Sequence, residues 1–309
     1  MQMSAEYTAR AEQLLQRAQG GQWDPDTRLN WLQNMDLGAV KMVPPLISDR
    51  LGAAWPDLDP AARAEAIRTC LGTLLQNLAV GEAYVDKTID MLQVTLPEES
   101  LRQILQWQVT DELRHASVLT RYVTEKLDWH QPATRQAASA RLHSETDHVL
   151  DRWESGTLLV MILEIAATAA IQGLRSYCDE PLMQAMLKGV IGDESRHISG
   201  LTLCLRAYEY TWDDAMRERL KDTAILGWQQ GLAVTERPAC DMSDELDSRL
   251  ATAPESPTTE WPFFRKTLSD ILIPKLKILG LLDEDLAVRL RAVGCPVPEG
   301  AVPTTEASA

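Results

Sequence analysis

The chain has 309 residues and a formal net charge of −15 at pH 7, from 30 Lys and Arg against 45 Asp and Glu. This length can bury a core without disulfide or metal staples, and the negative charge makes nucleic acid and a membrane surface poor partners. Its five cysteines lie far apart with no Cys-x-x-Cys pair, and no signal peptide or membrane span is indicated, so we expect a protein of the cytoplasm.

The predicted elements are all helices, because apolar residues recur at spacings of three and four and Gly and Pro are sparse in the middle of the chain. Residues 1–58 predict a helical extension in short pieces, interrupted at Gly20-Gly21 and Pro44-Pro45, with no visible chemistry. Residues 59–211 predict a four-helix bundle. Its long helices are expected at about 60–96, 98–127, 142–177 and 181–210, with a connection at 128–141.

The remaining residues add structure outside the bundle. Residues 212–295 predict C-terminal helices packed on it, at about 213–235, 259–281 and 283–293. Residues 296–309, rich in Pro, Thr, Glu and Ala and without periodicity, predict a disordered tail. The predicted fold class is therefore all-α.

An internal repeat in the bundle region carries the candidate chemistry. The segment Asp111-Glu112-Leu113-Arg114-His115 recurs as Asp193-Glu194-Ser195-Arg196-His197, at a shift of 82 residues. Another glutamate stands 30 residues before each motif glutamate, and these two, Glu82 and Glu164, are also 82 residues apart. The positions of Glu, Asp, Arg and His thus repeat, although the sequence between them has diverged.

The spacing of the repeat predicts a dinuclear metal site. Each pair of glutamates flanks a predicted turn, at Pro97 or at Asp179, so each helical hairpin brings its two glutamates level. Glu and His three residues apart share one helix face, and one Glu from each of two helices with Glu-x-x-His from each of two others is a di-iron or di-manganese ligand set. Two divalent ions would also neutralise four buried carboxylates. The predicted ligands are Glu82 and His115 on one ion, Glu164 and His197 on the other, and Glu112 and Glu194 as bridges.

Taken singly, some of these residues have plainer explanations. Glu82 alone could be a solvated helix residue, whereas Glu164 is the only charge between Thr157 and Ile171 and would be costly to bury without a partner. Thr168, one turn after Glu164, is expected to face the metal pocket as a proton relay, or else to hydrogen-bond the carbonyl one turn back.

The other charged residues of the motifs are expected to orient the histidines. A metal-bound imidazole usually donates its free N–H to a carboxylate. The repeat implies a pseudo-twofold symmetry between the two helical hairpins, which is expected to place Asp193 near His115 and Asp111 near His197. Arg114 and Arg196 would neutralise these aspartates, and simple Asp–Arg pairs within each helix are the alternative. Asp86 and Gln108, one turn from predicted ligands, are weaker candidates.

The ligand set and the twice-repeated Asp-Glu-x-Arg-His resemble those of ferritin-like di-iron carboxylate proteins. Within that group they are similar to hydroxylase subunits of bacterial multicomponent monooxygenases and to soluble acyl carrier protein desaturases, over about residues 60–210. Those monooxygenases commonly carry a threonine where Thr168 stands. The resemblance implies a ferritin-like four-helix bundle with extra N- and C-terminal helices.

The resemblance also implies a function. The implied function is that of an oxygenase with two Fe ions, or a Mn/Fe pair. It would use O2 and two electrons from a reductase or ferredoxin to oxidise a small or apolar organic substrate. A homodimer is an expected assembly. A desaturase, an N-oxygenase or other di-metal oxidase, and an iron-handling protein without organic substrate stay open as alternatives. Ribonucleotide reductase small subunits rank low, because they usually have Asp in place of Glu82 and a radical tyrosine in place of Leu119. Rubrerythrins are disfavoured by the missing Cys-x-x-Cys pairs.

Overall fold

The computed structural model describes residues 3–37, 40, 55–129, 132–235 and 262–302. Over this part of the chain the regular structure is helical, and the only extended pairing is an isolated bridge between Val40 and Cys178. The prediction of an all-α fold is confirmed.

Ten α-helices lie within the described residues. They are α1 (Ala5–Gly20), α2 (Pro25–Arg28), α3 (Pro60–Thr95), α4 (Glu99–Glu125), α5 (Pro132–Thr146), α6 (Trp153–Tyr177), α7 (Pro181–Arg206), α8 (Asp214–Thr235), α9 (Pro262–Ile278) and α10 (Glu284–Ala292). Short 3-10 turns stand at Trp55–Asp57, Asp147–Val149 and Glu209–Thr211.

Two helical hairpins form the bundle, and their helix ends follow from local chemistry. Asp59 caps α3 by accepting the backbone N–H groups of Ala61 and Ala62, and proline occupies the first helical position of both α3 and α7. The turns between α3 and α4 and between α6 and α7 are short and contain Pro97 and Asp179, as predicted. Each hairpin is therefore antiparallel, and its two helices pack along their length.

The four long helices α3, α4, α6 and α7 close into a bundle. Helix α3 packs on α4 and α6, while α7 packs on α6 and α4. The pseudo-twofold of the sequence repeat thus relates the hairpin α3–α4 to the hairpin α6–α7. Apolar side chains from all four helices fill the interior, so a charged residue that points inward meets little water.

Helix α6 is the most enclosed element of the bundle. By length and apolarity its residues Trp153–Ser176 could cross a membrane, but 89% of their most apolar window is buried inside the protein. Besides its bundle neighbours, α8 and α9 pack on it. The apolar composition of α6 is therefore accounted for by its position in the core.

The N-terminal and C-terminal segments cover the bundle. Helix α1, which lies in the predicted N-terminal extension, packs across α4 and α7. In the predicted tail, residues 296–302 are described, and there Val297 is buried and the N–H of Ala301 donates to the carbonyl of Pro298. Residues 303–309, the Pro44-Pro45 break and the predicted helical residues 259–261 lie outside the described residues.

The prediction of one long helix over 142–177 is wrong, as is that of a connection over the whole of 128–141. Helix α5 begins at Pro132, whose fixed φ suits a first helical turn, and the chain then turns at Asp147–Val149 before α6 begins at Trp153. The apolar pattern does not reveal this break, because Leu142 before it and Val149 within it are both buried, and Trp153, where α6 begins, packs on the same core.

Candidate metal centre

Six side chains meet inside the bundle, at mid-height of its four helices. Helices α3 and α6 contribute one glutamate each, and α4 and α7 contribute a glutamate and a histidine each. None of the six is more than 4% exposed. The residues are Glu82, Glu112, His115, Glu164, Glu194 and His197, the set predicted from the sequence.

The six side chains form two overlapping groups of four. Within each group, one oxygen or nitrogen atom of every residue lies within 4.8 Å of the others. One group contains Glu82 and His115, the other contains Glu164 and His197, and both contain Glu112 and Glu194. Such an arrangement fits two metal ions that share two bridging carboxylates.

The distances between donor atoms suit a common ion. Two ligands that each lie about 2.1 Å from a metal, at right angles, are roughly 3 Å apart. The Nδ1 atom of His115 is 3.2 Å from Glu194 Oε1 and 3.5 Å from Glu82 Oε2. The Nδ1 atom of His197 is 3.1 Å from Glu112 Oε1 and 3.3 Å from Glu194 Oε2.

These close contacts are not hydrogen bonds. Within the described residues, both histidine Nδ1 atoms, Glu82 Oε1, Glu112 Oε2 and both carboxylate oxygens of Glu194 are buried without a hydrogen-bond partner. An unpaired buried polar group is costly, and unpaired carboxylate oxygens most of all. The donors point towards shared space rather than at each other, which is what a cation between them requires.

The opposite edge of each imidazole is held by an aspartate from the other motif. His115 Nε2 lies 3.0 Å from Asp193 Oδ2, and His197 Nε2 lies 3.1 Å from Asp111 Oδ2. Because an ionised carboxylate only accepts, each Nε2 carries the hydrogen and each Nδ1 can present its lone pair to a metal. The crossed pairing expected from the pseudo-twofold is therefore present.

Two arginines bind the same aspartates. Arg114 and Arg196 each contact both Asp111 and Asp193, with N–O distances between 2.5 and 3.2 Å. The alternative of Asp–Arg pairs within one helix is thus also realised, but each arginine adds a cross-helix pair. Burial raises the pKa of Asp111, but hydrogen bonding to His197 and the charge on His197 outweigh burial and lower that pKa to about 2.

Burial changes the acidity of the cluster itself. Desolvation, added to the charges of the neighbouring Glu112 and Glu194, raises the pKa of Glu82 and of Glu164 from 4.5 to about 8. For His115 and His197 burial lowers the pKa, but the surrounding carboxylates outweigh burial and raise it well above 6.5. Without a cation the cluster therefore retains protons, which a metal ion would replace.

Two further residues hold this network and could not be predicted from the sequence, because they come from the distant segment after α1. Gln22 donates to Asp111 Oδ1 at 2.9 Å and accepts from Arg114 Nη1 at 2.7 Å. The indole N–H of Trp23 donates to Asp193 Oδ2 at 2.8 Å. A side chain on Gly21 would meet the Arg196 guanidinium at 2.8 Å, so glycine allows the close approach. No local signal marks these positions, which lie 89 and 170 residues from their aspartates.

Gln108 also belongs to the site. Its buried side-chain amide donates to Glu112 Oε1 at 3.0 Å and to Glu164 Oε1 at 2.7 Å. Its position one turn before Glu112 made it a weak candidate from the sequence, but the contact with Glu164 on another helix could only be seen in the fold. Asp86, the other weak candidate, has a pKa that burial raises, and no contact with the cluster is found among the described residues.

Thr168 lies on α6, one turn after Glu164, and a small cavity lies between helices beside Glu164. The Thr168 hydroxyl is buried and has no partner among the described residues, whereas Thr88 and Thr202 bond the carbonyl one turn back. Its role as a proton relay stays a prediction. A cavity of about 30 Å³, room for roughly two water molecules, reaches Glu82 and Glu164. Its apolar lining includes Leu78, Val85, Leu142, Leu163, Ala166 and Ala167.

Comparison with solved structures finds folds of the same kind. The chain is similar to the ribonucleotide reductase R2 subunit from Clostridium botulinum, with a TM-score of 0.54 and 12% identity, over 92% of this chain and 87% of that one. No model of a known protein family matches the chain, and no curated protein matches it significantly in sequence. At this identity the likeness shows the fold alone, and it confirms the predicted ferritin-like helical bundle. The finer resemblance to monooxygenases and desaturases stays a prediction.

Proposed function

We propose that the chain is a di-iron oxidoreductase that activates O2 and oxidises a small or apolar organic substrate. The observation that carries the proposal is the convergence of four buried glutamates and two histidines in two groups that share Glu112 and Glu194. The ligand count, the bridging pair and the outer aspartates all match the needs of a bridged dinuclear site.

The donor set favours iron. Carboxylate oxygens and imidazole nitrogens suit Fe(II) and Mn(II), whereas zinc and copper more often recruit thiolates or further histidines. Four glutamates bring four negative charges, which two divalent ions offset, so the buried cluster becomes neutral. Two Fe ions are therefore proposed, with a Mn/Fe pair as the second choice.

The residues divide the work as follows. When bound, the metal pair supplies the electron transfer to O2 that no amino-acid side chain can perform. Asp193 and Asp111 hold the two imidazoles in the tautomer that presents Nδ1 to a metal. Glu82 and Glu164 would each supply a further carboxylate ligand, one at each of the two metal positions. The apolar lining beside Glu82 and Glu164 excludes water from the region where the reaction would take place. The Thr168 hydroxyl is proposed to hold a proton that the reaction consumes.

The reaction class sets the proposed partners. Insertion of one oxygen atom into a substrate uses one O2, two electrons and two protons, and releases water. The electrons would come from a reductase or ferredoxin in the cytoplasm, and a homodimer is the proposed assembly. Desaturation, N-oxygenation and other di-metal oxidase chemistry use the same ligand types and remain variants of this proposal.

Two other functions are alternatives to this one. The similarity in fold to an R2 subunit makes a role in ribonucleotide reduction the first alternative. A fully buried leucine, Leu119, stands where those subunits usually place their radical tyrosine, which argues against that role. Iron handling would use the same six donors without an organic substrate.

The test is anaerobic loading of the purified chain with Fe(II), removal of free metal, and mixing with O2. Retention of two irons per chain and a transient visible absorption whose decay is faster with added small apolar substrates would support the oxygenase. Iron accumulating well beyond two per chain after repeated Fe(II) and O2 additions would support iron handling instead. A chain that retains no iron would overturn both.

A further inference from the structure

The two halves of the candidate centre are not equivalent. The shift of 82 residues that superimposes one motif on the other brings Gln108 onto Val190, so an amide stands before the motif glutamate of α4 and an apolar side chain before that of α7. Both side chains are buried. The pseudo-twofold is therefore broken by one polar side chain next to the ligands.

The orientation of the Gln108 amide follows from its neighbours. Glu112 and Glu164 both present oxygen atoms to it, and only the NH2 group can donate to both. The opposite orientation would set a third oxygen against two carboxylates. Gln108 thus occupies one oxygen of Glu164 and the oxygen of Glu112 that faces His197 Nδ1.

The unpartnered oxygens lie mainly on the other half. Glu82 Oε1 and Glu112 Oε2 have no hydrogen-bond partner among the described residues, and Glu112 Oε2 lies 3.7 Å from His115 Nδ1. Glu194 has both oxygens unpartnered, one towards each histidine, and so does not distinguish the halves. A cation near Glu82 and His115 therefore relieves more uncompensated charge than one near Glu164 and His197.

The outer residues do not produce a difference of this kind. Asp193 and Asp111 each accept one N–H from the segment after α1, from Trp23 or from Gln22. Each aspartate also contacts both arginines of the motifs. The asymmetry among the contacts described here is thus concentrated in Gln108.

We propose that Gln108 makes the two metal positions unequal, so that the Glu82–His115 position binds a divalent ion first and more tightly than the Glu164–His197 position. This inference rests on the proposed dinuclear site and deepens it. Gln108 acts through Glu112 and Glu164 and is a positioning residue. With one oxygen of Glu164 occupied, the second ion has fewer carboxylate oxygens available and is the more exchangeable of the two.

The test uses Co(II) binding to the metal-free full chain in O2-free buffer, followed by visible absorption. We expect two steps for the unmodified chain, with dissociation constants at least about tenfold apart. Glu82→Gln should remove the tighter step and Glu164→Gln the weaker one. Gln108→Met and Gln108→Leu remove the amide donor and should tighten the second step, narrowing the ratio of the two constants at least about threefold.

A matched control separates an effect of the Gln108 amide on metal binding from a general effect of the substitution on the fold. Gln103→Met makes the same exchange on the exposed face of α4 and should leave the ratio unchanged. A merely structural Gln108 would lower the melting temperature and leave that ratio as it was, which overturns the inference. Two equal binding steps in the unmodified chain would also overturn the inference, as would loss of the tighter step in Glu164→Gln. Absence of any Co(II) binding overturns the proposed function as well, whereas two equal steps leave it standing.

Discussion

The imidazole of His115 on α4 donates its Nε2–H to Asp193 on α7 at 3.0 Å, while its Nδ1 atom faces the glutamate cluster. A single hydrogen bond between two helices therefore fixes which nitrogen is available to a metal. His197 and Asp111 repeat the relationship in the opposite direction. The metal-binding edge of the site thus depends on residues that do not themselves belong to the ligand set.

The first prediction concerns this hydrogen bond. Asp193→Asn replaces an obligate acceptor by an amide and removes one negative charge from beside Arg114 and Arg196. Divalent-metal affinity should fall roughly 10- to 100-fold, measured as the Fe(II) dissociation constant under anaerobic conditions. Asp90→Asn, on the exposed face of α3, is the control. Equal affinities for the two variants would show that Asp193 does not support the site.

The second prediction concerns protons. At pH 7 the metal-free cluster retains protons, because the pKa values of Glu82 and Glu164 are raised to about 8 and those of both histidines are raised above 6.5. Metal ligands must be deprotonated, so Mn(II) binding should release protons and tighten as the pH rises from 6 towards 8. Calorimetry in buffers of different ionisation enthalpy measures the release. An enthalpy independent of the buffer would contradict this account.

The third prediction concerns stability without metal. Folded-state pKa values of Glu82 and Glu164 lie above the unfolded value of 4.5, so their protonated forms favour the folded state at low pH. This contribution is lost as the pH rises through about 8, and the raised histidine pKa values act in the same direction. The free energy of unfolding of the metal-free chain should therefore fall between pH 5 and pH 8. Saturation with Mn(II) should reduce or reverse the fall, and urea unfolding at each pH tests both statements.

The fourth prediction separates stability from metal binding. Glu164→Leu replaces a buried carboxylate in the apolar helix α6 by a side chain that suits its surroundings. The metal-free variant should gain about 1 kcal/mol or more in free energy of unfolding at pH 8, while the stabilisation by added metal should shrink. Glu125→Leu, at an exposed position of α4, should do neither. A metal-free Glu164→Leu variant that is less stable than the unmodified chain would mean that burial of this carboxylate does not destabilise the folded state.

The fifth prediction concerns the segment after α1. Trp23→Phe keeps an aromatic ring but removes the N–H that donates to Asp193. Metal affinity should fall roughly three- to tenfold, with little change in helix content by circular dichroism. Trp31→Phe removes an indole N–H that donates instead to the carbonyl of Pro25, and serves as control. The same loss in both variants would point to a general effect of the extension.

The sequence determined the centre of the site better than its surroundings. Glu-x-x-His on one helix face and a constant shift of 82 residues are local patterns, so the six donors could be predicted before the fold was known. Gln22 and Trp23 could not, because their partners lie in distant helices and no local pattern marks either residue. The break between α5 and α6 was missed because buried residues continue across it.

The central claim is that six side chains form one dinuclear centre, and anomalous X-ray scattering at the iron edge from Fe(II)-loaded crystals tests it most directly. We expect two peaks inside the bundle, about 3.5 to 4 Å apart, with Glu112 and Glu194 between them and Glu82–His115 and Glu164–His197 on either side. A single peak, or iron bound away from these residues, would contradict it.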